Sequence, residues 1–114
     1  MFMQTSPHSD EMEKRIADRL AALGSPVRLR LIRLLVRAGD DGLTVGDLQR
    51  RLEMPASTHA HHLAALVRTG LVHQERRGRE VFCRADFAAV RGLGDYLGDQ
   101  CCADEASDGR DPGR

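Results

Sequence analysis

The chain has 114 residues, 17 of them Lys or Arg and 17 Asp or Glu, with hydrophobic side chains at 41% and charged ones at 30%. Such a chain can bury one modest core in a single domain, and its composition excludes a disordered protein. No apolar run approaches the roughly 18 residues that span a bilayer, so no membrane partner is expected. Aromatic residues are only 4% and Trp is absent, so the core must be aliphatic, which favours helices. The first fifteen residues lack the basic start and apolar stretch of a secretory signal. A cytoplasmic protein is therefore expected, with its three cysteines as thiols. The net charge of zero hides an asymmetry: residues 1–84 carry 14 basic and 10 acidic side chains, residues 85–114 carry 3 and 7. The first part is a candidate polyanion binder and the tail is not.

Residues 1–9 read as a polar, disordered lead-in. From Asp10, apolar residues recur at helical spacing as Met12, Ile16, Leu20 and Leu23, and Gly24 stops that helix. Ser25-Pro26 restarts the chain, with Ser as N-cap and Pro at the first helical position. This second helix runs to about Ala38 with Val27, Leu31, Leu34 and Leu35 inward, and Gly39 ends it. Thr44 caps a third helix, with Asp47 completing a short-armed capping box and Val45, Leu48 and Leu52 inward. A tight turn over residues 53–56 leads into a fourth helix, which ends near Thr69 with Leu63, Leu66 and Val67 inward. Residues 71–75 and 80–84 alternate as two strands, a hairpin whose tip is Arg76-Arg77-Gly78-Arg79. Asp86 caps a last helix with Phe87, Val90, Leu93 and Leu97 on one face, weakened by Gly92, Gly94 and Gly98. Residues 10–102 are thus the folded domain and residues 103–114 a flexible acidic tail.

Two helices joined by a short turn and followed by a ribbon with a basic tip predict a mainly α winged helix-turn-helix, with about five helices and a two-stranded wing. The second helix of such a pair enters the major groove of double-stranded DNA. Ser57, Thr58, His61 and His62 lie on its polar face and are the candidates to read DNA. Arg76, Arg77 and Arg79 on the wing suit phosphates or the adjacent minor groove. The competing reading is a helical domain with a solvated hairpin. Cap, turn, polar face and basic tip in this order favour DNA. No cofactor is needed for that binding. An enzyme is not expected, because no phosphate-cradling Gly loop and no nucleophile with a base and an orienter is present.

Three stretches resemble the ArsR/SmtB winged-helix repressors. Ala22-Leu23-Gly24-Ser25-Pro26-Val27-Arg28-Leu29 is similar to their opening motif. Ser57-Thr58-His59-Ala60-His61-His62-Leu63 through Arg68-Thr69-Gly70-Leu71-Val72 is similar to their recognition segment, and Arg76 to Arg79 to their wing. The resemblance covers roughly residues 12–100. It implies a homodimer on an inverted-repeat operator, joined through the first and last helices, that leaves DNA on meeting a metal, metalloid or oxidant. The dimer-interface candidates are Ile16, Leu20, Leu23, Phe87, Val90, Leu93 and Leu97, whose stripes exceed what one small core needs. Two residues depart from the pattern. His59 stands where the family has an apolar residue, and reads as a satisfied, half-buried side chain in preference to one turned toward DNA. Ala60 replaces a small polar residue and removes one contact.

The resemblance also sorts inducers. The family's Cys-x-Cys site in the third helix is absent, since that stretch reads Thr44-Val45-Gly46-Asp47. The last helix has no His for the family's zinc or nickel site, and His59, His61 and His62 lack a fourth donor. Cys101 and Cys102 remain, with Cys83 on the second wing strand as a candidate third ligand. Soft thiolates select thiophilic centres. A monomethylated arsenical takes two thiolates, so the pair alone suits it. Arsenite or antimonite takes up to three, which Cys83 from the same or the partner chain could complete. Some arsenic-responsive members carry such a pair near the end of the last helix. The bland readings are core filler for Cys83 and small hydrophobes at a dimer helix end for the pair. Two functional alternatives stay open: a repressor of the same fold responding to oxidants or reactive sulfur, and a winged-helix protein-interaction module without inducer. A disulfide between adjacent Cys closes a strained ring, which disfavours the simplest redox form.

Overall fold

The element order is α1 (Pro7–Ala22), α2 (Pro26–Ala38), a 3-10 turn (Gly39–Asp41), β1 (Leu43–Thr44), α3 (Val45–Leu52), α4 (Ala56–Arg68), β2 (Val72–Arg77), β3 (Glu80–Ala85) and α5 (Phe87–Gly98). The computed structural model describes residues 7–105, with side chains from residue 10 onward. α1 therefore begins within the expected lead-in. Residues 1–6 and the tail residues 106–114 lie outside the described residues.

Three predicted caps form. Ser25 accepts from the Arg28 amide, Thr44 from the Asp47 amide and Asp86 from the Ala89 amide. Each satisfies one of the amides that a helix start leaves open. α4 ends as its Gly70 predicted. Gly70 takes φ +80°, its amide donates to Val67 O (3.0 Å) and the Leu71 amide to Leu66 O (3.0 Å). That is a Schellman closure. Arg19 Nε donates to Thr69 O at 2.8 Å and ties α1 to this closed end.

The expected two-stranded wing forms as β2 and β3, and a short third strand joins it. The sheet has three antiparallel strands in the order β1-β3-β2, with Leu43 opposite Cys83 and Val72 opposite Ala85. β1 escapes sequence reading because two residues cannot display a period of two. It is held by a close approach: a Cβ on Gly42 (φ +69°) would stand 2.2 Å from the Cys83 carbonyl oxygen. The tip is also tighter than expected. β2 runs through Arg77, so Arg76 and Arg77 belong to the strand and the turn is Gly78-Arg79. Gly78 takes φ +64°, which a type II′ hairpin needs at its first turn position.

Leu31, Leu35, Leu48, Leu66 and Leu71 are fully buried, and with Val72 and Cys83 they form the centre of the core. α2 is the central helix, packing on α3, α4 and β3. Ile32 joins the core, whereas the expected Val27 is half-buried. We expect Gly42→Ala to cost about 1–3 kcal/mol, from the positive φ and the contact with a β3 carbonyl together. Urea unfolding measures it; an unchanged midpoint would mean that β1 separates from β3 at no cost.

Candidate nucleic-acid interface

α3 and α4 are joined through Glu53, whose backbone is left-handed (φ +51°), and Met54-Pro55. This turn sets α4 with His59, Leu63, Ala65 and Leu66 buried and Ser57, Thr58, Ala60 and His61 exposed. Ser57, Thr58 and His61 thus stand on the outer face as expected. Pro55 is the N-cap of α4 and makes no side-chain capping bond. The first amides of α4 are therefore left without a side-chain acceptor at the cap, where the helix dipole favours an anion.

His62 differs from its neighbours. It is half-buried, and its Nδ1 accepts a hydrogen bond from Arg28 Nε of α2 at 3.0 Å. Burial first, then the Arg28 charge and His61, hold the His62 pKa below its ordinary value. Arg28 also donates to Ala22 O at 3.3 Å. The sequence reading used Arg28 only as a motif residue. Its helical spacing shows that it leaves the core stripe, and not which partner it meets.

On the wing, Arg76, Arg77 and Arg79 are all exposed. Arg77 is held in place: its guanidinium lies 4.4 Å from the centroid of the Phe82 ring and bonds Glu75 at 3.1 Å. Arg79 lines a groove of about 350 Å³ together with Thr44, Val45, Gly46 and Arg50 at the start of α3. Arg50 was missed by the sequence reading. It pairs with Asp47 three residues earlier and so looks like an ordinary surface helix pair.

His59 corrects an expectation. It is 1% exposed, as a core residue should be, but its Nε2 has no hydrogen-bond partner. Burial first, and then His62, push its pKa below the ordinary value. The His is buried because its helical position is an apolar one, shared with Leu63 and Leu66, and no hydrogen-bonding group among the described residues meets its Nε2 there.

The thiols separate into two environments. Cys83 is fully buried on β3, where Gln74 Nε2 donates to its Sγ at 3.6 Å and burial raises its pKa. Cys101 and Cys102 are exposed just past α5, with Sγ atoms 3.5 Å apart and Cys102 at φ +65°. The hydrogen bond with Cys101, followed by one with Glu105, pushes the Cys102 pKa up. Among the described residues no three His, Cys, Asp or Glu side chains come together as a metal site, so Cys83 does not join the pair within one chain. Of the candidate dimer residues, Ile16 and Leu93 are buried in the chain's own core, and Leu23, Phe87 and Val90 pack half-buried against it. Leu20 and Leu97 are exposed, as are Met12 and Tyr96 on the same two helices.

This geometry has relatives. A family model described as a helix-turn-helix domain matches residues 23–75. The transcriptional activator HlyU of Vibrio cholerae is 33% identical over 87 residues, 76% of this chain and 81% of that protein. The biofilm growth-associated repressor of Xylella fastidiosa is 32% identical over 106 residues, 89% of this chain and 90% of that protein. Among solved structures, an ArsR-like transcriptional regulator from Rhodococcus sp. RHA1 superposes with a TM-score of 0.66 at 29% identity, covering 76% of this chain and 79% of that one. The chain belongs to the ArsR-like winged helix-turn-helix transcriptional regulators. In this family member the helix-turn-helix is α3 and α4, followed by the β2–β3 wing. No helix among the described residues is long and apolar enough to cross a membrane.

His59 gives the regulator a pH-dependent stability. The unfolded chain binds a proton on this side chain near pH 6.5, whereas the folded one resists doing so until lower pH. Stability is therefore full above about 6.5 and falls as the pH drops toward the folded pKa. We expect His59→Leu to raise stability at neutral pH by about 1–3 kcal/mol, the cost of an unsatisfied buried group. It should also flatten the loss of stability as the pH falls below about 6.5. Urea midpoints at several pH values test both; a less stable variant with the same pH slope contradicts the assignment.

Proposed function

We propose that the protein is a cytoplasmic, homodimeric repressor that binds an inverted-repeat operator and releases it when Cys101 and Cys102 capture a trivalent arsenical. The observation that carries the inducer is the thiol pair: two exposed sulfurs 3.5 Å apart, just past α5. One soft atom bridges sulfurs at that separation with little backbone movement. The chemistry balances without an oxidant. Each As–OH exchanged for As–S takes the thiol proton with the departing hydroxide and releases one water. The raised Cys102 pKa is therefore no obstacle, because the proton leaves during the exchange. Burial of Cys83 argues for a two-thiol inducer, so methylarsenite fits better than a three-thiolate arsenite or antimonite complex. One similar solved structure, described as a possible transcriptional regulator for arsenical resistance, is 30% identical with a TM-score of 0.59.

The dimer rests on exposed apolar side chains. Met12 and Leu20 on α1, with Tyr96 and Leu97 on α5, are 37–66% exposed on helices that pack against each other. A second copy would cover them. Sedimentation of the full chain should give twice 12.6 kDa at micromolar concentration. Capture of the inducer past α5 then changes how the two copies sit, and with it the spacing of the two α4 helices. That is a coupling free energy between two sites.

The test is operator release followed in parallel with methylarsenite, arsenite, antimonite, zinc and peroxide. Cys101→Ser and Cys102→Ser should each bind operator normally and no longer release it with arsenicals, because a serine hydroxyl cannot replace a thiolate on a soft centre. Cys83→Ala should respond to methylarsenite as the unaltered protein does. A Cys101/Cys102 double serine variant that still leaves DNA on adding arsenicals ends this reading. Release by peroxide alone would favour a redox-responsive repressor.

A further inference from the structure

Arg28 and His62 meet at the edge of the reading helix, and the chemistry of their contact is one-sided. A guanidinium has donors and no acceptor. At 3.0 Å from Arg28 Nε, His62 Nδ1 must therefore offer its lone pair. The proton of the neutral ring is left on Nε2. His59 Nε2 is the buried side-chain nitrogen or oxygen left unpartnered among the described residues, so His62 Nε2, which has no protein partner, reaches solvent.

We propose that Arg28 is a positioning residue for DNA binding: it fixes the His62 ring so that His62 presents a single Nε2–H donor to an acceptor atom of the operator, either a phosphate oxygen or a major-groove base acceptor (a purine N7, guanine O6 or thymine O4). This rests on the reading that α4 faces DNA. A His62 held in this form cannot accept from adenine N6 or cytosine N4, whose amino groups are donors. Protonating Nδ1 would break the Arg28 bond and add a cation beside Arg28 and His61, which disfavours the charged ring. Arg28 comes from α2, the central helix of the core, so the donor direction is set by packing.

A double-mutant cycle on the full-length protein tests this, with a duplex that the unaltered protein selects from a random pool. His62→Leu removes the donor and should weaken binding about tenfold. Arg28→Met keeps the aliphatic stem and removes the Nε donor, and should lose a similar factor. The decisive expectation is non-additivity: Arg28→Met should cost almost nothing in the His62→Leu background. Additive losses would mean that Arg28 acts on its own, and would overturn the proposal. Removing single acceptors identifies the one used: purine N7 by 7-deaza analogues, guanine O6 by 2-aminopurine, thymine O4 by 5-methyl-2-pyrimidinone, and phosphate oxygens by methylphosphonate. One such change should reproduce the His62→Leu loss and have no effect on that variant; if none does, the donor role is wrong.

Arg28 also holds Ala22 O, so Arg28→Met could weaken the fold. Nitrogen-15 spectra of the unaltered protein give an independent answer. The His62 ring should show a protonated Nε2 and an unprotonated Nδ1 at neutral pH, and a protonated Nδ1 overturns the proposal. A protein that selects no duplex at all refutes DNA binding itself, and is distinguishable from a selected duplex that is indifferent to His62.

Discussion

The seating of α4 on the aliphatic core is the constraint on which the rest of the molecule depends. With so few aromatic residues, the core is built from leucines of α2, α3, α4 and the Leu71 corner, and α4 contributes His59, Leu63 and Leu66 to it. Aliphatic side chains give no directional bond, so the rotation of α4 about its axis is set by volume and by what lies at its edges. Its far end is closed by Gly70 and tied to α1 through Arg19 and Thr69. Its flank is fixed by Arg28 on His62. Together these contacts hold Ser57, Thr58 and His61 outward and leave the helix start uncapped by a side chain.

The wing is positioned by the same core. β3 lies between its two partners, and Cys83 at its centre is buried while Arg77 stacks on Phe82 one residue away on the strand. The β3–α5 junction is joined to the end of α4 through the Asp86 amide on Leu71 O at 2.9 Å. Asp86 also caps α5 and accepts from His73 of β2 at 2.8 Å. α5, which leads to the thiol pair, thus starts on the residue that meets both the wing and the end of the reading helix. A change in the seating of α5 has a short physical route to both DNA-facing elements.

His59 is the costly element of this arrangement. Its unsatisfied Nε2 lies inside the face that seats α4, where a leucine or valine would carry no such penalty. The residue spends stability beside the element that does the binding. Marginal stability of this kind is tolerated at functional sites more readily than elsewhere.

Local rules were legible in the sequence wherever a residue acts on its own chain neighbours. The caps Ser25, Thr44 and Asp86, the stop at Gly70 and the helical stripes could all be read, because backbone geometry and a period of 3.6 place the partner within four residues. The order of elements then made the winged helix-turn-helix readable, and the sulfur pair was visible as adjacent letters. Tertiary structure decided what depends on residues far apart in the chain. Arg28 meets His62 across 34 positions, β1 adds a third strand through a two-residue stretch, and His59 is buried without a partner. Which of Arg76, Arg77 and Arg79 is held and which is free likewise follows from the strand register around Phe82. Periodicity specifies which side of a helix or strand a residue occupies. It carries no information on what the other element presents there, and that is settled only when the core packs.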